Sequence, residues 1–191
     1  MIRGRREKGQ YGYRDFRKRA ETAKVLFGAA MILAQLFARN FTDNQAAKNI
    51  LTVMAILSVL PAANVAAPLL ASWKYRTPSR EFYERMTALE EKGCMLYDLI
   101  ITSREQIIPA DAVMVHPAGI FVCCMEGQVD AKKGERFLND TLKSHKLNGD
   151  ARIIKDEKTF LRKLESLKPA GEPDNGKSLA QEVKVLKGLS M

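Results

Sequence analysis

Two long apolar runs dominate the N-terminal part of the chain. Val25–Ala38 is 14 residues long, and Asn49–Trp73 contains no charged residue over 25 positions. A helix needs roughly 20 apolar residues to cross a bilayer, so the second run is long enough by itself. The first run becomes long enough if the flanking Lys24 and Arg39 extend their charged ends towards the membrane surfaces. We therefore expect residues 25–73 to form a two-helix transmembrane hairpin.

Each apolar run also has a second interpretation. A basic segment followed by a short apolar core is typical of a cleaved signal peptide, which is the alternative for the first run. A buried helix of a soluble domain is the alternative for the second run. The occurrence of both runs in one chain favours the hairpin.

A pattern typical of a soluble α+β domain follows from residue 77. An amphipathic helix is expected to begin with Thr77 as its N-cap and to stop at Gly93. The elements predicted after it are strands Cys94–Thr102, Ile107–His116 and Ile120–Met125, helix Gly134–Leu147, strand Ala151–Ile154 and a helix capped by Asp156. The αβββαβ order indicates an antiparallel strand hairpin and a helical crossover to one more strand. We expect this domain to cover residues 77–167, and residues 168–191 to be a flexible tail that can form a short helix.

The net charge of +9 is concentrated near the N-terminus. Residues 1–24 carry nine Lys and Arg against three acidic residues, a net charge of +6, whereas residues 74–191 carry 20 against 18. Because basic residues stay on the cytoplasmic side, both termini are expected in the cytoplasm, with a multi-pass protein in the cell membrane. The basic segment 1–24 is most simply a determinant of this topology that lies on the membrane surface. An arm that binds nucleic acid is the alternative, but the nearly neutral charge of the domain argues against nucleic acid as a partner.

The cysteines and histidines do not form a recognised motif. Cys94, Cys123 and Cys124 have no pairing pattern, which indicates reduced thiols in a cytosolic compartment. A zinc site or a Cys–His pair with His116 and His145 is an alternative, but the spacings match no known ligand set. We expect the two adjacent cysteines to pack in the core of a central strand.

The stretch DAVMVHPAGIFV (Asp111–Val122) carries a resemblance to a known family. An aspartate in the second strand, a turn, and Gly-Ile-Phe-Val at the start of the third strand resemble the nuclease-related domain (NERD) of the restriction-endonuclease-like superfamily. The similarity extends over about Ser79–Leu167, including the αβββαβ order. The resemblance implies an endonuclease-like core in a bacterial-type protein.

The same resemblance implies a chemistry and shows where this chain departs from it. In the family, two carboxylates hold Mg²⁺ and a lysine assists the attacking water. Asp111 matches the family's aspartate, but Cys124 and Glu126 stand where its Glu-x-Lys is expected. A thiol is a poor Mg²⁺ ligand, and a carboxylate cannot replace the charge of lysine. If the site is active, Asp111 and Glu126 are the candidate metal ligands and Lys132 the candidate lysine.

The sequence therefore favours a membrane-tethered, non-catalytic interaction or scaffold protein with a degenerate nuclease-like domain. It then needs no cofactor, and its partners are membrane lipids and either another protein or copies of itself. One alternative is a membrane-anchored, Mg²⁺-dependent nuclease that uses Asp111 and Glu126. Another is a small accessory subunit of a membrane complex that acts through its helices, since the small residues of Ala62–Ala71 allow close helix packing.

Overall fold

The computed structural model describes residues 6–126, 128–169 and 176–191, with side chains of the last segment from residue 179 onwards. The chain forms two compact units. The helical unit is Asp15–Arg76, and the α+β unit combines Met1–Arg14 with Thr77–Met191. The described residues contain six α-helices and one four-stranded mixed sheet, which is an α+β fold. Most of the predicted linker after residue 168 lies outside the described residues.

The helical unit is built from two helices of equal length. Helix α1 is Tyr13–Asn40 and helix α2 is Gln45–Ser72, each with 28 residues. Both are long and apolar enough to cross a membrane. Helix α1 is twice as long as the apolar run within it, because the basic segment before Val25 continues the same helix.

Polar and small side chains join α1 and α2 along their length. Near the middle, the Gln35 amide and the Ser58 hydroxyl are 3.3 Å apart. Closer to the start of α1, a Cβ on Gly28 would lie 3.3 Å from the Cβ of Ala62. The Lys18 ammonium donates hydrogen bonds to the Trp73 and Tyr75 carbonyls, where α2 ends. The two helices thus run antiparallel, and the small residues Gly28 and Ala62 allow their close approach.

The sheet of the α+β unit has the spatial order β1-β2-β3-β4. Its strands are β1 (Cys94–Thr102), β2 (Ile107–His116), β3 (Gly119–Cys123) and β4 (Ala151–Ile154). The pairs β1–β2 and β2–β3 are antiparallel, and β3–β4 is parallel. The predicted strand hairpin with a helical crossover is therefore confirmed.

Helices cover both faces of the sheet. Their bounds are α3 (Arg80–Thr87), α4 (Ala131–Ser144), α5 (Glu157–Glu165) and α6 (Gly176–Leu189). One apolar core joins the sheet to α4 and α6 and includes Leu138 and Leu186. The other core joins it to α3 and α5 and includes Phe82 and Phe160. Helix α6 lies in the segment predicted as a tail and packs on β1 and β2.

The first helix of the α+β unit begins and ends differently from the prediction. Ser79, not Thr77, is the N-cap, and its hydroxyl accepts a hydrogen bond from the Phe82 amide. The helix ends at Thr87, and Gly93 follows a 3-10 turn instead of stopping the helix. Gly93 is extended, and a Cβ there would lie 2.8 Å from the Val115 carbonyl oxygen. Glycine is therefore needed for close approach to β2.

Both edges of the sheet carry contacts that close them. At the β1 edge, the Tyr97 amide donates a hydrogen bond to the Gly9 carbonyl, and the Met191 amide donates one to the Ile100 carbonyl. At the β4 edge, the Ala151 and Ile153 amides donate to side chains of α4, Asn139 at 2.6 Å and Glu135 at 2.8 Å. Edge positions covered in this way are not open to pairing with a strand of another chain, so such pairing is disfavoured.

Candidate functional site

Strands β1 and β2 change face at two aspartates that stand opposite each other. The pairs Tyr97–Ala112 and Leu99–Ala110 place Asp98 across from Asp111. In a regular strand, alternate residues share a face. Here Leu96 and Leu99 both point into the core under α4 and α6, as do Ala110 and Val113 in β2. Relative to a regular alternation, each strand thus contains one extra residue, which is its aspartate. Because the two extra residues lie opposite each other, the pairing of β1 with β2 keeps the same register on both sides of them.

The backbone of Asp98 has a conformation that few residues adopt. Its φ of 56° lies in the left-handed region, which aspartate tolerates better than most residues. One oxygen of its carboxylate, Oδ2, accepts hydrogen bonds from the Gly12 amide and the Thr77 hydroxyl. Asp98 therefore binds the segment that precedes the helical unit, through Gly12, and the segment that follows it, through Thr77.

Arg14 lies in the first turn of α1, just before the helical unit begins at Asp15, and belongs to the α+β unit. From there its side chain reaches both aspartates. Its Nη1 donates to Asp111 Oδ1 at 2.8 Å, and its Nη2 donates to the Leu99 carbonyl at 3.0 Å. Its Nε lies 3.7 Å from Asp98 Oδ1. We call Arg14, Asp98 and Asp111 the Arg14 cluster. Because Arg14 belongs to the N-terminal segment, this cluster attaches residues 6–14 to the sheet.

The Arg14 cluster is almost completely removed from solvent. Arg14 is 3% exposed, Asp98 is 1% exposed and Asp111 is 7% exposed. Charges that leave water cost several kcal/mol each unless partners of opposite charge and hydrogen bonds compensate. The second oxygen of Asp111 accepts such a hydrogen bond, at 3.0 Å, from the amide of Met125, which lies just after the end of β3. The cluster therefore also determines how the chain leaves the sheet at Met125.

The structure places the predicted site residues in different surroundings. Asp111 is buried and bound to Arg14 and Met125. Glu126 is half-buried, and Lys132 is exposed in the first turn of α4. In the part of the chain that the structure describes, the cation that pairs with Asp111 is Arg14 and not Lys132. Arg14 and Asp98, which do surround Asp111, were not among the predicted site residues.

The adjacent cysteines lie in different cores on opposite faces of the sheet. Cys123 contributes to the core with α3 and α5, and Cys124 to the core with α4 and α6. Burial raises the pKa of the Cys123 thiol far above its usual range. Burial also raises the pKa of the Cys124 thiol to about 11, against the lowering effect of the Glu126 backbone amide. Both thiols are therefore protonated and unreactive at neutral pH.

This burial predicts slow thiol labelling in the native protein. In detergent micelles at pH 8, Cys123 and Cys124 should react with a disulfide reagent only as fast as the protein opens, whereas the half-buried Cys94 reacts first. Cys94→Ser should remove the early phase, and denaturant should make the remaining thiols react at once. Above pH ~8.5 the unfolded thiols ionise while the folded thiols stay protonated, so the free energy of unfolding should fall. Immediate labelling of three thiols would contradict the buried positions.

The donor set around Asp111 does not suit a magnesium ion. Both Asp111 oxygens already accept hydrogen bonds, and the adjacent thiol of Cys124 is protonated and buried. Among the residues described, no group of three or more His, Cys, Asp or Glu side chains is placed to hold a metal ion. The positive charge beside Asp111 is supplied by the guanidinium of Arg14.

Comparisons of the chain with models of known families, with curated proteins and with solved structures find no match. The resemblance to the nuclease-related domain, and the endonuclease-like core that it implies, therefore stay predictions.

Proposed function

We propose that the protein is a membrane-tethered interaction module whose α+β unit is non-catalytic. In this proposal α1 and α2 form a two-helix anchor in the cell membrane with both termini in the cytoplasm. The apolar composition of both helices supports the anchor. The orientation is supported by the nine basic residues that precede Val25 and by Lys74, Arg76, Arg80 and Arg85, which follow α2.

One observation carries the non-catalytic part of the proposal: the ion pair between Arg14 and Asp111. Asp111 is the carboxylate that a nuclease of the resembled family would use, and here a buried arginine of the same chain binds it. An arginine neutralises a carboxylate and bridges it to a carbonyl, but it does not activate water as a metal ion does. In this proposal the carboxylate has a structural role, which is to attach the N-terminal segment to the sheet.

The closed sheet edges limit how a partner can dock on the α+β unit. Backbone hydrogen bonds with Gly9 and Met191 cover part of the β1 edge, and Asn139 and Glu135 cover the β4 edge. Addition of a partner strand is therefore disfavoured, and recognition falls to surface side chains. Met125 is the exposed large apolar side chain of the described part of this unit, and its backbone is held by Asp111. We place the docking surface around Met125.

A cleavage assay with the full-length chain in detergent tests the non-catalytic proposal. We expect no nicking of supercoiled plasmid or of RNA with Mg²⁺ or Mn²⁺, and no difference between the wild type and Asp111→Asn. Metal-dependent nicking that Asp111→Asn abolishes would overturn the proposal and establish the nuclease alternative with Asp111 and Glu126.

A crosslinker placed at Met125 tests the docking surface, because a partner of the α+β unit should be captured there.

The accessory-subunit alternative is supported by a different observation. Gly28 and Ala62 approach closely, and Gln35 bonds Ser58 inside the hairpin, while much of the remaining helix surface is apolar and exposed. Such a hairpin can pack against other membrane helices. A crosslinker at the exposed Leu60 that captures a protein partner, while one at Met125 captures none, would favour this alternative.

A further inference from the structure

Exposed basic residues collect at one end of the helical unit. Not all the basic residues of the N-terminal segment contribute, because Arg14 is buried in the α+β unit and Arg17 is half-buried. Lys18 binds carbonyls at the end of α2, which brings the start of α1 beside Trp73. The exposed basic residues of this end are Arg19, Lys24, Lys74 and Arg76, which we call the basic end. The exposed acidic residue beside them is Asp15.

The surroundings of the basic end indicate which anionic partner it fits. Trp73 is 57% exposed there, and tryptophan is enriched at the headgroup level of membranes. The exposed apolar residues Leu26 and Leu70 lie on the two helices close to these charges. A nucleic acid would leave such apolar side chains in water, whereas a bilayer covers them and presents phosphates beside them.

We propose that the basic end binds the headgroups of anionic phospholipids. This inference rests on the proposed membrane anchor and adds the class of lipid that surrounds it. Within Asp15–Arg76, the basic end has four exposed cations and Asp15 as its exposed acidic residue. Residues 39–48 at the other end of the hairpin carry Arg39 and Lys48 against Asp43. Each Lys or Arg near an anionic surface favours binding about fivefold, so the preference is strongest at the basic end.

The preference for anionic lipid is measurable with a reporter that the chain already contains. Trp73 is its one tryptophan, and lipids with brominated acyl chains quench tryptophan on contact. The full-length protein is reconstituted in vesicles with equal amounts of phosphatidylcholine and phosphatidylglycerol, in which only one lipid is brominated. We expect brominated phosphatidylglycerol to quench Trp73 more than brominated phosphatidylcholine does. About 1 M salt should remove the difference, since it shortens the screening length to about 3 Å.

Matched double variants assign the preference to the basic end. Arg19→Gln with Lys24→Gln should lower the preference for phosphatidylglycerol by about tenfold or more, because two cations are lost. Arg39→Gln with Lys48→Gln removes the same charge from the other end and should leave the preference unchanged.

Three results would overturn the inference. Equal quenching of the wild type by both brominated lipids would exclude the lipid preference while leaving the membrane anchor intact. A preference that persists in the Arg19→Gln and Lys24→Gln variant would show that other residues produce it. Quenching of Trp73 by aqueous iodide but by neither lipid would show that the hairpin is outside the bilayer, which overturns the anchor as well.

Discussion

Replacing Arg14 by methionine is expected to lower the free energy of unfolding of the α+β unit by about 3–5 kcal/mol, as removal of one partner from a buried ion pair does. The substitution keeps the apolar part of the side chain and removes the guanidinium. Asp98 and Asp111 would then face each other across β1 and β2 without the cation that binds both. Denaturant titration of the full-length protein in detergent, followed by hydrogen exchange of the β1 and β2 amides, measures the loss.

Arg80→Met is the matched control for this prediction. Arg80 forms an ion pair with Glu84 at the same distance of 2.8 Å, but the two side chains are 85% and 60% exposed. An exposed pair of this kind contributes only about 0.3–0.5 kcal/mol. Adding Asp111→Asn to Arg14→Met should recover part of the loss, because it removes one of the two facing charges. An Arg14→Met loss no larger than that of Arg80→Met would show that the Arg14 cluster does not stabilise the fold.

The strands of this protein are more predictable than its buried charges. The predicted bounds of β1, β2 and β4 agree with the structure, because buried strands form apolar runs that turn residues interrupt. Arg14 has no such signal, since it is one of nine basic residues in its segment and its partner Asp111 lies 97 positions away. Asp98 did carry a signal, as a charged residue inside the apolar stretch CMLYDLIIT, although its backbone conformation has no sequence signature.

The apolar part of the nuclease-like motif has an explanation that needs no common ancestry. Val113, Val115, Ile120 and Val122 all lie in the core under α4 and α6, in the two interior strands of the sheet. Interior strands with helices on both faces require such residues in any protein. The motif positions that packing does not explain are Asp111 and Glu126, and Asp111 is bound to Arg14.

Restoring the glutamate of the motif should therefore destabilise the protein instead of activating it. Cys124 is fully buried in an apolar core, and the electrostatic influence of Asp111 and Arg14 reaches its thiol. Cys124→Glu would add a third carboxylate to a cluster with one guanidinium, which we expect to cost about 3–5 kcal/mol at pH 7. Burial and the nearby Asp111 raise the pKa of such a glutamate above its unfolded value of about 4.3. The folded state then binds its proton more tightly, so the charge-dependent part of the cost is absent below that pH and grows as the pH rises.

Cys124→Gln separates charge from shape in this experiment. Glutamine has nearly the same size as glutamate but no charge, so its cost should come from packing and an unsatisfied amide and stay constant between pH 4 and pH 8. Denaturant titrations of both variants across that range measure the difference. Equal costs for Gln and Glu at pH 8, or Mg²⁺-dependent cleavage by Cys124→Glu combined with Glu126→Lys, would mean that the Arg14 cluster can accept the nuclease motif. A growing gap between the two variants would show that the site disfavours a further negative charge beside Asp111, as expected where two carboxylates already share the guanidinium of Arg14.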